Sequence, residues 1–187
     1  MNSTLENNAW YLYWKYKYTS TDEIPFIDTV EINVLSTGKI KITVYEKGII
    51  GMVEYLDNYM YFDKNGIVVE SSKKKINDIP EITGLNFNNL ALNEQLPVKD
   101  TDVFDSILAL TQMLKKNDIR PDKINYNKSL EIALTFGDAK VLLGTDDSIA
   151  EKVMRLKYLM EDLFGRKGVL HMENFNEDTK NITFENM

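Results

Sequence analysis

Few side chains in this sequence could do chemistry, and none falls in a catalytic arrangement. His171 is the single histidine, and there is no cysteine among the 187 residues. A zinc centre draws on several Cys or His ligands, and a nucleophilic triad needs a histidine oriented by an acid beside a Ser or Cys. His171 instead alternates with apolar neighbours in Val169-Leu170-His171-Met172-Glu173, which is the pattern of a structural histidine on a strand. Asp146-Asp147 offer adjacent carboxylates for cation binding or acid–base work. They stand directly before a helical pattern, where the helix dipole favours negative charge, so capping is the expected role. Gly144-Thr145-Asp146 and Phe164-Gly165-Arg166 lack the glycine spacing and lysine of a phosphate loop and are expected to be turns. Lys73-Lys74-Lys75 reads as a charge run on a solvated loop. No catalytic, cofactor-binding or metal-ligating residue is assigned. The chain is read as a binding protein, not an enzyme.

Composition narrows the partners. Hydrophobic residues make up 43% of the chain, sufficient for a sizeable core, in one or two small domains. The net charge of −7 disfavours phosphate backbones and anionic lipid surfaces, so nucleic acid is not expected as a partner. Without cysteine the fold needs neither disulfide nor thiolate metal site. The first residues, MNSTLENNAW, contain neither a basic region nor an apolar run, and no later stretch approaches the roughly 20 apolar residues of a membrane-spanning helix.

The elements that position these residues follow from periodicity. Trp10, Tyr13 and Trp14, within a cluster that includes Leu12, Tyr16 and Tyr18, form one stripe if helical and are expected to pack on a sheet. The other use of that cluster is a platform for glycan or a small ligand. Val30, Ile32 and Val34 face Ile40, Ile42 and Val44 across a turn at Ser36-Thr37-Gly38, giving a hairpin with one apolar face. Tyr59 to Phe62 alternate, Asp63-Lys64-Asn65-Gly66 closes a hairpin, and Ile67, Val68 and Val69 resume the strand. Further strands are expected over residues 49–55, 123–127, 130–136, 140–143, 169–175 and 181–185. A first helix carries Val103, Ile107, Leu110 and Leu114 behind a cap at Thr101 or Asp102. A second carries Ile149, Val153, Leu156, Met160 and Leu163 behind a capping box of Ser148 and Glu151. The expected fold is α+β, a mainly antiparallel sheet with both helices on one face.

The tail differs in kind. Residues 176–180 form a polar turn, and residues 181–185 return as a short strand at the chain end. A terminal strand is often an edge strand, whose unpaired backbone groups can receive another chain.

The D-x-x-G turn at Asp63 to Gly66, the variable loop after it and the P-x-I-x-G-L run from Pro80 to Leu85 resemble the β domain of the FtsQ/DivIB family of bacterial cell-division proteins. Upstream, residues 24–55 with the V-x-E segment Val44-Tyr45-Glu46 resemble the family's last POTRA strands. Downstream, Leu142-Leu143-Gly144, a helix containing Lys152 and Leu156, and Gly168-Val169-Leu170 follow the family's order. The resemblance covers residues 24–184. It implies the C-terminal part of a POTRA domain over residues 1–46, a βαββ-type remnant, and a β domain over residues 47–187. It further implies a soluble fragment of a single-pass membrane protein on the extracytoplasmic face of the septum. The implied role is a noncatalytic, cofactor-free scaffold for FtsL-like and FtsB/DivIC-like bitopic proteins and, through them, the septal peptidoglycan synthase complex. The implied contact residues are Phe175, Ile182, Thr183 and Phe184, with Phe184 the apolar anchor and the backbone of residues 182–184 the pairing edge.

Overall fold

The computed structural model describes residues 25–36, 39–85, 87, 89–98, 101–176, 178–179 and 181–187, with the side chains of 101 and 102 left aside. The aromatic cluster of residues 10–18 and the tip of the first hairpin lie outside the described residues. The chain divides into two compact units, Met1–Gly48 and Ile49–Met187.

In the first unit, strands β1 (Ile27–Ser36) and β2 (Lys39–Glu46) form an antiparallel pair. Val30 faces Val44, Ile32 faces Ile42 and Val34 faces Ile40, the register that the apolar alternation predicts.

The second unit holds nine strands and two helices. The strands are β3 (Ile49–Tyr55), β4 (Asn58–Asp63), β5 (Val68–Ser72), β6 (Glu81–Thr83), β7 (Lys123–Tyr126), β8 (Ile132–Phe136), β9 (Ala139–Gly144), β10 (Gly168–His171) and β11 (Thr183–Asn186). The helices are α1 (Thr101–Lys116) and α2 (Ile149–Leu163). The sheet runs in the order β11-β10-β9-β8-β7-β6-β3-β4-β5.

The sheet is mixed, with the expected antiparallel pairs in the majority and three parallel pairs that the expectation did not include. The pairs β3·β6, β6·β7 and β9·β10 are parallel and the other five of this sheet antiparallel. The cause is connection length: a hairpin returns antiparallel, whereas a parallel neighbour requires a crossover. One crossover contains α1 and joins β6 to β7, and another contains α2 and joins β9 to β10.

One apolar row explains the core. Phe184 faces Leu170, which faces Val141, then Leu134, Ile124 and Ile82, and the paired Val53 and Met60 lie on the same side. Both helices pack on this face. Val103, Ile107, Leu110 and Leu114 of α1 and Val153, Leu156 and Leu163 of α2 share a single buried cluster with it. Their i, i+3, i+4 spacing sets them on one side of each helix, and each fully buried aliphatic side chain contributes roughly 1.5–3 kcal/mol.

Among the local details, the Asp63 turn forms as expected and others differ. Asp63 Oδ1 accepts from the Asn65 and Ile67 N–H groups, both at 2.9 Å, and Gly66 takes φ 72° to close the turn. The loop carrying Lys73-Lys74-Lys75 is not merely solvated. The Tyr61 hydroxyl donates to the Lys74 carbonyl at 2.9 Å and accepts from the Ile76 N–H at 3.0 Å, so the loop is tied to β4. Lys75 also reaches the buried Glu81 at 2.9 Å. The capping box at α2 does not form: Ser148 is left-handed, φ 54° and ψ 27°, and its side chain makes no cap bond. The Asp146 carbonyl instead accepts from the Ile149 N–H at 3.1 Å.

A candidate partner-binding edge

The last two strands form the end of the sheet. Gly168 opens β10 at φ 155°, and a Cβ there would collide with the Glu185 carbonyl oxygen and come within 2.8 Å of the Phe184 ring. Glycine is therefore what allows β11 to lie so close.

β11 pairs antiparallel with β10, Leu170 opposite Phe184 and His171 opposite Thr183, and among the described residues nothing follows it in the sheet order. The Met187 N–H donates to the Lys167 carbonyl at 3.4 Å, which fixes the phase of the ladder. Antiparallel ladders alternate bonded and non-bonded pairs. Glu185 and Thr183 thus point their backbone groups at β10, while the N–H and C=O of Phe184 and Asn186 point outward.

The opposite edge of the sheet is covered at the start of β5. Val68 N–H donates to the Glu94 carbonyl at 2.9 Å, Asn93 N–H to the Val68 carbonyl at 2.7 Å and Leu96 N–H to the Gly66 carbonyl at 2.9 Å. The chain blocks that edge with its own backbone, a common protection against unwanted pairing.

The four residues picked from sequence meet at the open end but in different settings. Phe175 lies in the turn after β10, its N–H on the Met172 carbonyl at 3.1 Å, because β10 stops at His171 and not at residue 175 as expected. Ile182 precedes β11. Phe175, Ile182 and Phe184 are half-buried against the common core, whereas Thr183 is exposed. The turn between the strands is held by Asn176, whose Oδ1 accepts from the Asp178 and Thr179 N–H groups at 3.0 and 2.7 Å.

His171 ends β10, and its ring is hydrogen-bonded as a structural histidine's would be, but it is not enclosed. Its side chain is 35% exposed, with Nδ1 3.0 Å from Glu173 Oε1 and Nε2 3.6 Å from Glu185 Oε2. The hydrogen bond to Glu173 raises its pKa above the ordinary histidine value, with Glu185 adding to the effect. The face of the sheet opposite the helices is open at this end, and alternation reports the face but not what covers it.

Sequence reasoning placed Lys152 on a helix and missed its burial. It sits in the first turn of α2, 2% exposed, and its Nζ donates to the Leu143 carbonyl at 2.7 Å and the Thr145 carbonyl at 3.3 Å. Burial lowers its pKa, against the pull of Asp147, Glu173 and Asp146. No local signal distinguishes it from a surface lysine. Among the described residues no group of three or more His, Asp or Glu could hold a metal ion, and no helix is long and apolar enough to cross a membrane.

No family model matches the chain. Two known proteins are similar to it, and both are cell-division proteins of the DivIB type. It is 27% identical over 157 residues to the cell division protein DivIB of Clostridium acetobutylicum, an alignment covering 81% of this chain and 62% of that protein. It is 26% identical over 151 residues to the cell division protein DivIB of Aerococcus urinae, covering 80% of this chain and 33% of that protein. The chain thus spans about three fifths and one third of these two relatives.

Proposed function

We propose that this chain acts in bacterial cell division as a noncatalytic scaffold on the extracytoplasmic face of the septum. In this reading residues 1–46 are the C-terminal part of a POTRA domain and residues 47–187 a β domain. The complete protein is anchored by a single membrane-spanning helix. Its partners are FtsL-like and FtsB/DivIC-like bitopic proteins, and its work is to recruit or regulate the septal peptidoglycan synthase complex without a cofactor. The supporting observation is the contrast between the two ends of the sheet, one blocked by residues 93–96 and the other ending on β11 with outward backbone groups at Phe184 and Asn186. An extended partner segment pairing there gains backbone hydrogen bonds for affinity and alternate side chains for selectivity. Phe175, Ile182, Thr183 and Phe184 are its proposed contacts, with Phe184 as the apolar anchor.

The test is calorimetric titration of the chain with the extracytoplasmic segment of the FtsB/DivIC-like protein from the same source. Removal of residues 181–187, Phe184→Asp and Asn186→Pro should each weaken binding. The proline removes one outward N–H while keeping the Phe184 side chain, and Asn186→Ala, which also loses the Arg166 contact but keeps the N–H, is its control. Unchanged affinity in all three variants would move the interface away from β11.

A further inference from the structure

Resting on the strand-addition reading above, the two sides of β11 differ in chemistry. On the helix side lies Phe184, with its ring covered by Arg166, whose guanidinium is also engaged by Asn186 Oδ1 at 3.2 Å. That cation is already committed. On the other side a depression of about 520 Å³ is lined by His171, Glu173, Asn174, Thr183, Phe184 and Glu185. We propose that β11 selects an extended partner segment with basic side chains on this open side, a Lys or Arg seated between Glu185 and Glu173, and apolar side chains beside Phe184.

The charge count carries the argument. Glu185 is 76% exposed and Glu173 34%, and the one imidazole between them carries at most one positive charge against two negative ones. Among the described residues, no lysine or arginine forms an ion pair with either carboxylate. Lys152 is buried and bonded to the Leu143 and Thr145 carbonyls. Lys140 lies opposite Val169 on β9, beyond β10 from Glu185. On an added strand, the residues opposite Thr183 and Glu185 present their side chains on the same side of the sheet as these two, about 4.5–5.5 Å away between Cβ atoms. A basic residue there meets unneutralised carboxylates, whereas an acidic one faces Glu185 directly. Like charges directly opposite are destabilising.

The experiment uses short capped peptides alternating Val with Lys, Val with Thr, or Val with Glu, and reads their affinity for the whole chain by fluorescence anisotropy. The expected order is Lys over Thr over Glu, and Glu185→Lys should shift the Lys-to-Glu preference by about fivefold or more. Glu185→Gln should give an intermediate shift. Glu54→Lys, on the exposed side of β3, controls for the general attraction of cations to an acidic chain and should leave the order unchanged. If Asn186→Pro abolishes binding of all three peptides but Glu185→Lys leaves their order intact, strand addition stands and the charge selection is overturned. If no peptide binds, or Asn186→Pro changes nothing, both the selection and the strand-addition reading beneath it are wrong.

Discussion

The Arg166 guanidinium lies 3.8 Å from the centroid of the Phe184 ring. Arg166 belongs to the turn between α2 and β10, so a residue outside the sheet clamps the terminal strand and shields its one large apolar side chain. Cation–π contacts at exposed sites are worth about 0.5–1 kcal/mol. Arg166→Ala should therefore lower global stability by no more than about 1 kcal/mol. The amide protons of β11 should exchange markedly faster while those of β8 and β9 keep their protection. Hydrogen exchange followed by NMR checks this, and unchanged exchange in β11 would show that the clamp contributes nothing.

Glu81 gives a pH dependence with a definite sign. Burial alone would raise its pKa, but hydrogen bonds and charge from Lys75 and Lys123, at 2.9 and 3.3 Å, outweigh that and lower it below 4.5. A carboxylate with a lowered folded pKa contributes stability that is present above its unfolded value and lost as the pH falls through the folded one. Urea unfolding of Glu81→Gln should show reduced stability at neutral pH, by about 1–3 kcal/mol, because two ammonium groups lose the charge of their shared acceptor. The variant should also lose less stability than the parent on acidification below pH 4.5. Parallel acid profiles would exclude Glu81 as the responsible group.

Lys152→Met replaces a buried ammonium with an apolar group of similar length. The Leu143 and Thr145 carbonyls then lose their donor, and an unsatisfied buried acceptor costs about 1–3 kcal/mol. Lower stability by that order in urea is the expected result. A variant as stable as the parent would mean that desolvation of the charge offsets everything the two bonds contribute.

Legibility in the sequence followed the range of the interaction. The pairing of Val30, Ile32 and Val34 with Val44, Ile42 and Ile40 was readable to the residue, because one apolar face and a short turn leave a single register. The Asp63 turn was equally plain. β6 was not read as a strand, since Ile82 stands alone between Glu81 and Thr83 and its pairing with Ile124 lies across a long crossover. The three parallel pairings were hidden for the same reason. Ser148 and Glu151 have the spacing of a capping box, but the chain enters α2 through a left-handed residue that turns the serine side chain away from the cap. At the candidate site the edge position of β11 could be anticipated from its place at the chain end. The carboxylates around His171 and the depth of Lys152 depend on neighbours distant in sequence.

The blocked end at Val68 bears on stoichiometry. A sheet that could pair at both margins would let copies stack indefinitely, each donating one margin to the next. With residues 93–96 seated along the Gly66 to Val68 backbone, the chain itself occupies the start of that margin and hinders such stacking. On the strand-addition reading, a partner strand therefore meets this sheet at β11, and head-to-tail stacking of copies through its two margins is disfavoured.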